Sequence, residues 1–180
     1  MKSLVFVMGI FSFLGFLQKE IVIEDFSLSN SNTWVVVNDG IMGGISSSSM
    51  ELDVLGNGVF SGKVSLENNG GFTLVKRRVA IDFSNKYSKI QLRVKGDGKQ
   101  YQFRIKPSWN TKHWYIQKFQ TKNDWEIITL ELKDFYPSLR GNRLSLSNFV
   151  DNRVESIAFL IGNKKQETFK LTIDYIKLIP

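Results

Sequence analysis

From residue 21 onward, apolar and polar side chains alternate with a period of two, in short runs broken by glycine and asparagine. That period places alternate side chains on opposite faces of a strand and predicts sheets with one face buried and the other wet. Three runs carry it most clearly. In Ile90–Lys95, Ile90, Leu92 and Val94 form one face and Gln91, Arg93 and Lys95 the other. In Tyr101–Lys106, Tyr101, Phe103 and Ile105 point inward. His113–Gln120 is aromatic on both faces. Asp97-Gly98 between the first two predicts a tight hairpin, which would make them neighbours. Further strands are expected over 21–26, 34–37, 46–53, 59–66, 72–83, 126–132, 157–161 and 169–178. Residues 133–151 form a long connection with at most one helical turn. About ten antiparallel strands and no long amphipathic helix imply an all-β sandwich or barrel, with one domain over residues 21–180.

Composition agrees. Of 180 residues, 42% are hydrophobic and 13% aromatic, enough to bury a core and suited to strands. No cysteine is present, which excludes disulfides, thiolate catalysis and Cys-ligated metals. The net charge of +7 favours anionic partners. No recognised nucleic-acid motif accompanies it, so no nucleic-acid partner is expected.

Residues 1–20 are a basic residue followed by an apolar run from Leu4 to Leu17. The run is too short for a typical membrane span of about 20 residues and matches the apolar region of a signal peptide. No small-x-small triplet precedes Gln18, so an uncleaved anchor or a buried first strand stays open. The expected location is the bacterial cell envelope, exported or membrane-associated, with a cytoplasmic location as the open alternative.

Catalytic constellations are missing from the sequence pattern. The single histidine, His113, sits in an aromatic strand, and no Gly-x-Ser-x-Gly elbow occurs. Asn38–Ser46 and Asn68–Phe72 are glycine-rich, but Gly40-x-x-Gly43-Gly44 has neither the spacing nor the helix of a dinucleotide site. These glycines read as loop-shaping, which leaves Asp39 and Met42 as the unexplained side chains of that segment. Glu24 or Asp25 on the first strand and Asp174 on the last could meet and offer hard oxygen ligands to calcium. No cofactor and no enzymatic activity are expected. The remaining candidate is a wet sheet face carrying Arg93, Gln102, Arg104, Tyr115 and Gln117 with Lys95 and Lys106. Planar donors beside an aromatic ring can bind a ligand. An ordinary solvated face has the same appearance.

Four segments, Trp34–Ser46, Val59–Phe72, Lys95–Arg104 and Ile157–Gly162, together resemble blocks of the complex I intermediate-associated protein 30 family, over about residues 24–178. The resemblance implies a galactose-binding-like jelly roll without established catalysis. It also implies an assembly or chaperone role toward an unfolded or partly assembled protein client. The fold superfamily includes carbohydrate-binding modules, which makes a glycan the alternative partner, with Tyr115 or a tryptophan as stacking platform and Gln102 and Arg104 as hydrogen-bonding groups.

Overall fold

A computed structural model describes residues 19–28 and 31–180. The apolar leader therefore lies outside the described residues, except for Lys19 and Glu20. Thirteen strands follow in order: β1 (Ile21–Asp25), β2 (Val35–Asn38), β3 (Ser47–Leu52), β4 (Gly58–Val64), β5 (Thr73–Asp82), β6 (Lys89–Lys95) and β7 (Gln100–Lys106), then β8 (Trp114–Gln120), β9 (Trp125–Glu131), β10 (Tyr136–Leu139), β11 (Asn142–Arg143), β12 (Arg153–Ile161) and β13 (Glu167–Ile179). Helical structure among the described residues is confined to short 3-10 turns, and no helix there is long and apolar enough to cross a membrane. The short β10 and β11 lie in the stretch expected to be a connection.

The strands form two antiparallel sheets. One has the order β3-β4-β13-β6-β9, with β1 also paired to β13; the other runs β11-β10-β8-β7-β12-β5-β2. Their inner faces share one core. Phe60, Ile90, Leu92, Val94, Leu171 and Ile173 come from the six-stranded sheet, and Val75, Tyr101, Phe103, Ile105, Ile157 and Phe159 from the seven-stranded sheet. All are fully buried. Phe103 packs at 5.0 Å from Phe159, and Tyr101 crosses to Phe169 of the opposite sheet at 6.3 Å. Each such ring contributes on the order of 2 kcal/mol by leaving water.

The expected β6–β7 hairpin is absent. β6 pairs with β13 and β9, while β7 pairs with β12 and β8. Asp97-Gly98 is thus a crossover between sheets. Asp97 holds it by accepting hydrogen bonds from Tyr101 Oη at 3.0 Å, Lys99 Nζ at 2.7 Å and the Lys170 amide at 3.0 Å. Alternation demands only that Ile90, Leu92 and Val94 meet apolar partners. Facing Phe103 and Ile105 across the core meets that demand as well as lying beside them would.

Candidate functional site

The glycine segments meet around Asp39. Its carboxylate is 2% exposed. Oδ1 accepts the Ser46 amide at 3.1 Å, and Oδ2 accepts Ser46 Oγ at 2.5 Å, the Gly71 amide at 2.7 Å and the Phe72 amide at 3.3 Å. Ser46 Oγ in turn accepts the Ser65 amide at 2.9 Å. Burial alone would raise the Asp39 pKa; the hydrogen bonds from Ser46, Gly71 and Phe72 outweigh it and hold the group below its ordinary value. Two glycines are required by this close approach. A Cβ on Gly44 would lie 2.3 Å from Asp39 Oδ1, and one on Gly70 would lie 2.7 Å from Oδ2. Asp39 is therefore enclosed by its own chain. The Met42 side chain lies outside the described residues.

The proposed wet face divides between the sheets. Arg93 belongs to β6, on the outer face of the six-stranded sheet, where it is paired with Asp174 and lies over Trp125. Gln102, Arg104 and Lys106 lie on the outer face of the seven-stranded sheet. Tyr115 and Gln117 point the other way, correcting their expected orientation. They sit opposite Ile105 and Phe103 in the β7–β8 register. Tyr115 packs on Phe149 at 5.3 Å, and the Gln117 amide bridges to the Glu131 carbonyl of the other sheet. Phe119, buried and in the same alternating set, is the sequence signal for this parity.

Gln102 and Arg104 thus have different neighbours. The register places Lys118, Ile116 and Trp114 of β8 opposite or alongside them, then Tyr136 of β10 and Arg143 of β11. On the other side, Ala158 and Leu160 of β12 lead to Lys76 and Leu74 of β5. Leu74, Ala158 and Leu160 make a small apolar floor with Val37, Phe72 and Trp114 packed against it. Three aromatic rings on or above this face each carry a cation. Lys106 Nζ lies 4.9 Å from the Trp114 centroid, Arg143 lies 4.8 Å from that of Tyr136, and Arg78 stacks on Trp109. Arg78, Ala80, Trp109, Arg153 and Glu155 line a cleft of about 300 Å³ at one end.

Both outer faces carry cations, and Lys63, Lys89, Lys95 and Lys170 on the six-stranded sheet have no carboxylate partner among the described residues, but two cations there are paired. On the six-stranded sheet, Arg93 meets Asp174 and Lys177 meets Glu20. On the seven-stranded sheet, none of the six cations Lys76, Arg78, Arg104, Lys106, Lys118 and Arg143 has a carboxylate partner among the described residues. Its acids, Asp82 and Glu155, lie at the cleft end and are both engaged by Arg153. Arg104 Nε and Nη2 donate to Gln102 Oε1 at 3.1 and 2.6 Å. Loss of solvent lowers the Arg104 pKa to about 10, with nearby Tyr136 opposing the shift. Desolvation, reinforced by repulsion from Lys76, also lowers that of Lys106, whose Nζ donates to the Thr111 carbonyl at 2.6 Å.

Among the described residues no group of three acidic or histidine side chains could hold the expected calcium, and Asp25 accepts the Ser27 amide and hydroxyl. β1 and β13 do pair. Glu24, however, is buried against Arg77 and accepts Trp34 Nε1 at 3.0 Å, whereas Asp174 faces out beside Arg93. Trp114, Tyr136, Arg143 and Lys76 escaped the sequence reading. Tyr136 and Arg143 lay in the presumed connection, and Trp114 has the parity opposite to the one chosen.

Two antiparallel sheets packed over one core make this a jelly-roll β-sandwich domain. A family profile matches residues 24–173, and the chain belongs to the complex I intermediate-associated protein 30 family. No curated protein matches the chain. Among solved structures, it is similar to a family 11 carbohydrate-binding module from Clostridium thermocellum in complex with a β-1,3-1,4-mixed-linked tetrasaccharide. That match has a TM-score of 0.67 at 20% identity and covers 89% of this chain and 95% of that one. A family 29 carbohydrate-binding module complexed with cellulohexaose is similar at TM-score 0.56 and 8% identity, covering 90% and 92%. At these identities the likeness concerns the fold alone.

Proposed function

We propose that the chain is a non-catalytic binding module that holds a partly assembled protein client against the outer face of the seven-stranded sheet. The observation that carries this reading is the set of six cations, three of them stacked on rings, without carboxylate partners on one open face. Charges left without partners on an ordered, partly apolar surface suit association more than folding. The family's name, which refers to complex I intermediates, supports an assembly role. The reading includes the cell-envelope location suggested by the leader. Its test is photo-crosslinking in the native host from Lys118 on this face and from Thr129 on the opposite sheet. Recurrent membrane-protein subassemblies captured only from Lys118 are expected. Equal capture from both positions would discard the reading.

A second reading, binding of a glycan, is favoured by Trp114 and Tyr136 on adjacent strands beside Gln102 and Arg104. Such rings can stack on pyranoses while the amide and guanidinium bond to hydroxyls. Glycan-array binding that is lost in Arg104→Ala, without client capture, would favour it.

A further inference from the structure

We propose that the client segment received by this face is extended and acidic, and that Arg104 is the residue that selects it. The proposal rests on reading the face as the binding surface and names the chemistry of what it takes.

Arg104 is the central cation. Ile116 and Ala158 lie opposite it on the flanking strands, both buried. The Gln102 amide takes two N–H groups of the guanidinium and fixes its plane. A neutral amide orients the cation but does not neutralise it. The opposite edge, Nη1 with the second Nη2 hydrogen, has no acceptor among the described residues. A partly desolvated charge without a counter-ion is unfavourable, and an incoming carboxylate relieves it through two parallel charge-assisted hydrogen bonds. A hydroxyl offers one weak acceptor and no charge.

The neighbouring cations extend the demand. Lys106 stands two residues along β7 on the same side, about 6.6 Å away at the usual strand rise. Acidic side chains at every second position of an extended segment repeat at the same interval. Lys118 on the adjacent β8 and Lys76 on β5, one strand beyond β12, flank that row. The rings argue against a sugar as the primary occupant. Trp114, Tyr136 and Trp109 each already hold a cation, Lys106, Arg143 and Arg78, against one ring face, so a pyranose would have to share or displace these contacts to stack there.

The test measures binding of the whole chain to a labelled decapeptide of alternating Glu and Ser. Controls are the Gln/Ser peptide, polygalacturonate as acidic glycan and a mixed-linked glucan as neutral glycan. The Glu/Ser peptide should bind and weaken as salt is raised, and the Gln/Ser peptide should not bind. Arg104→Ala should weaken binding about tenfold or more, the size expected for a lost bidentate contact to a carboxylate. Arg104→Lys, which keeps charge but not the fork, should restore part of it. Arg93→Ala on the other sheet should leave it unchanged. Equal binding of both peptides, or equal effects of Arg104→Ala and Arg93→Ala, overturns the proposal. Tighter binding of polygalacturonate than of the Glu/Ser peptide also overturns it, in favour of an acidic glycan. Client capture through Lys118 that survives while the acidic peptide fails would remove this inference and leave the binding-face reading standing.

Discussion

The Asp39 clasp and the Arg104 face are both places where a charge has left bulk water, and they resolve it in opposite ways. Asp39 receives a hydroxyl and three amides from its own loops. Arg104 receives one neutral amide oxygen. A charge answered within the chain belongs to folding, because removing it leaves buried donors without partners. A charge left unanswered at an open face is available to a second molecule. The same contrast separates Arg93 from Arg104, since Arg93 has Asp174 and Arg104 has no carboxylate.

The largest expected effect is on the clasp. Asp39→Ala leaves the Ser46, Gly71 and Phe72 amides unpaired and should cost roughly 3 kcal/mol, lowering the Tm by roughly 6–12 °C. Differential scanning calorimetry checks this, and a loss as large in Arg104→Ala would collapse the distinction between the two regions. Gly44→Ala, driven into Asp39 and the Gly70 backbone, should cost about 2–3 kcal/mol and leave peptide binding per folded molecule unchanged.

Acid should separate the regions next. The Asp39 pKa lies below its ordinary 3.8 in the folded state, so its stabilisation is present above about pH 4 and fades as pH falls through the folded value. His113, beside Tyr115, has buried Nε2 without a hydrogen bond, and desolvation and then Lys106 lower its pKa from 6.5. Below pH 6.5 the unfolded chain takes up this proton first, so stability declines until the folded form also protonates. His113→Phe should flatten the Tm between pH 7.5 and 5, and an unchanged slope would show that His113 does not govern that window. The smallest effects belong to the outer faces. Arg104→Ala should cost no more than about 1 kcal/mol, and Arg93→Ala about 0.5 kcal/mol, in urea unfolding.

Much of this molecule was legible beforehand. Ile90, Leu92 and Val94, like Tyr101, Phe103 and Ile105, are inward as their alternation required. The glycine segments are shaped loops, although nothing local showed that they close on one carboxylate. In His113–Gln120, Trp114 and Tyr115 satisfy either face, and only Phe119 pointed to the orientation that the structure shows. Tyr136 and Arg143 sit on strands too short to carry a period.

By itself the sequence determined the all-β architecture, the strands that alternate cleanly and the family, since these depend on local spacing and on residues close together in the chain. Tertiary structure alone decided that β6 and β7 lie in opposite sheets, because an apolar strand face is satisfied equally by a neighbour or by a partner across the core. That decision parted Arg93 from Arg104 and gave Arg93 a counter-ion. It also brought Tyr136 and Lys76 to the face of Arg104 from strands farther away along the chain, where no local pattern relates them.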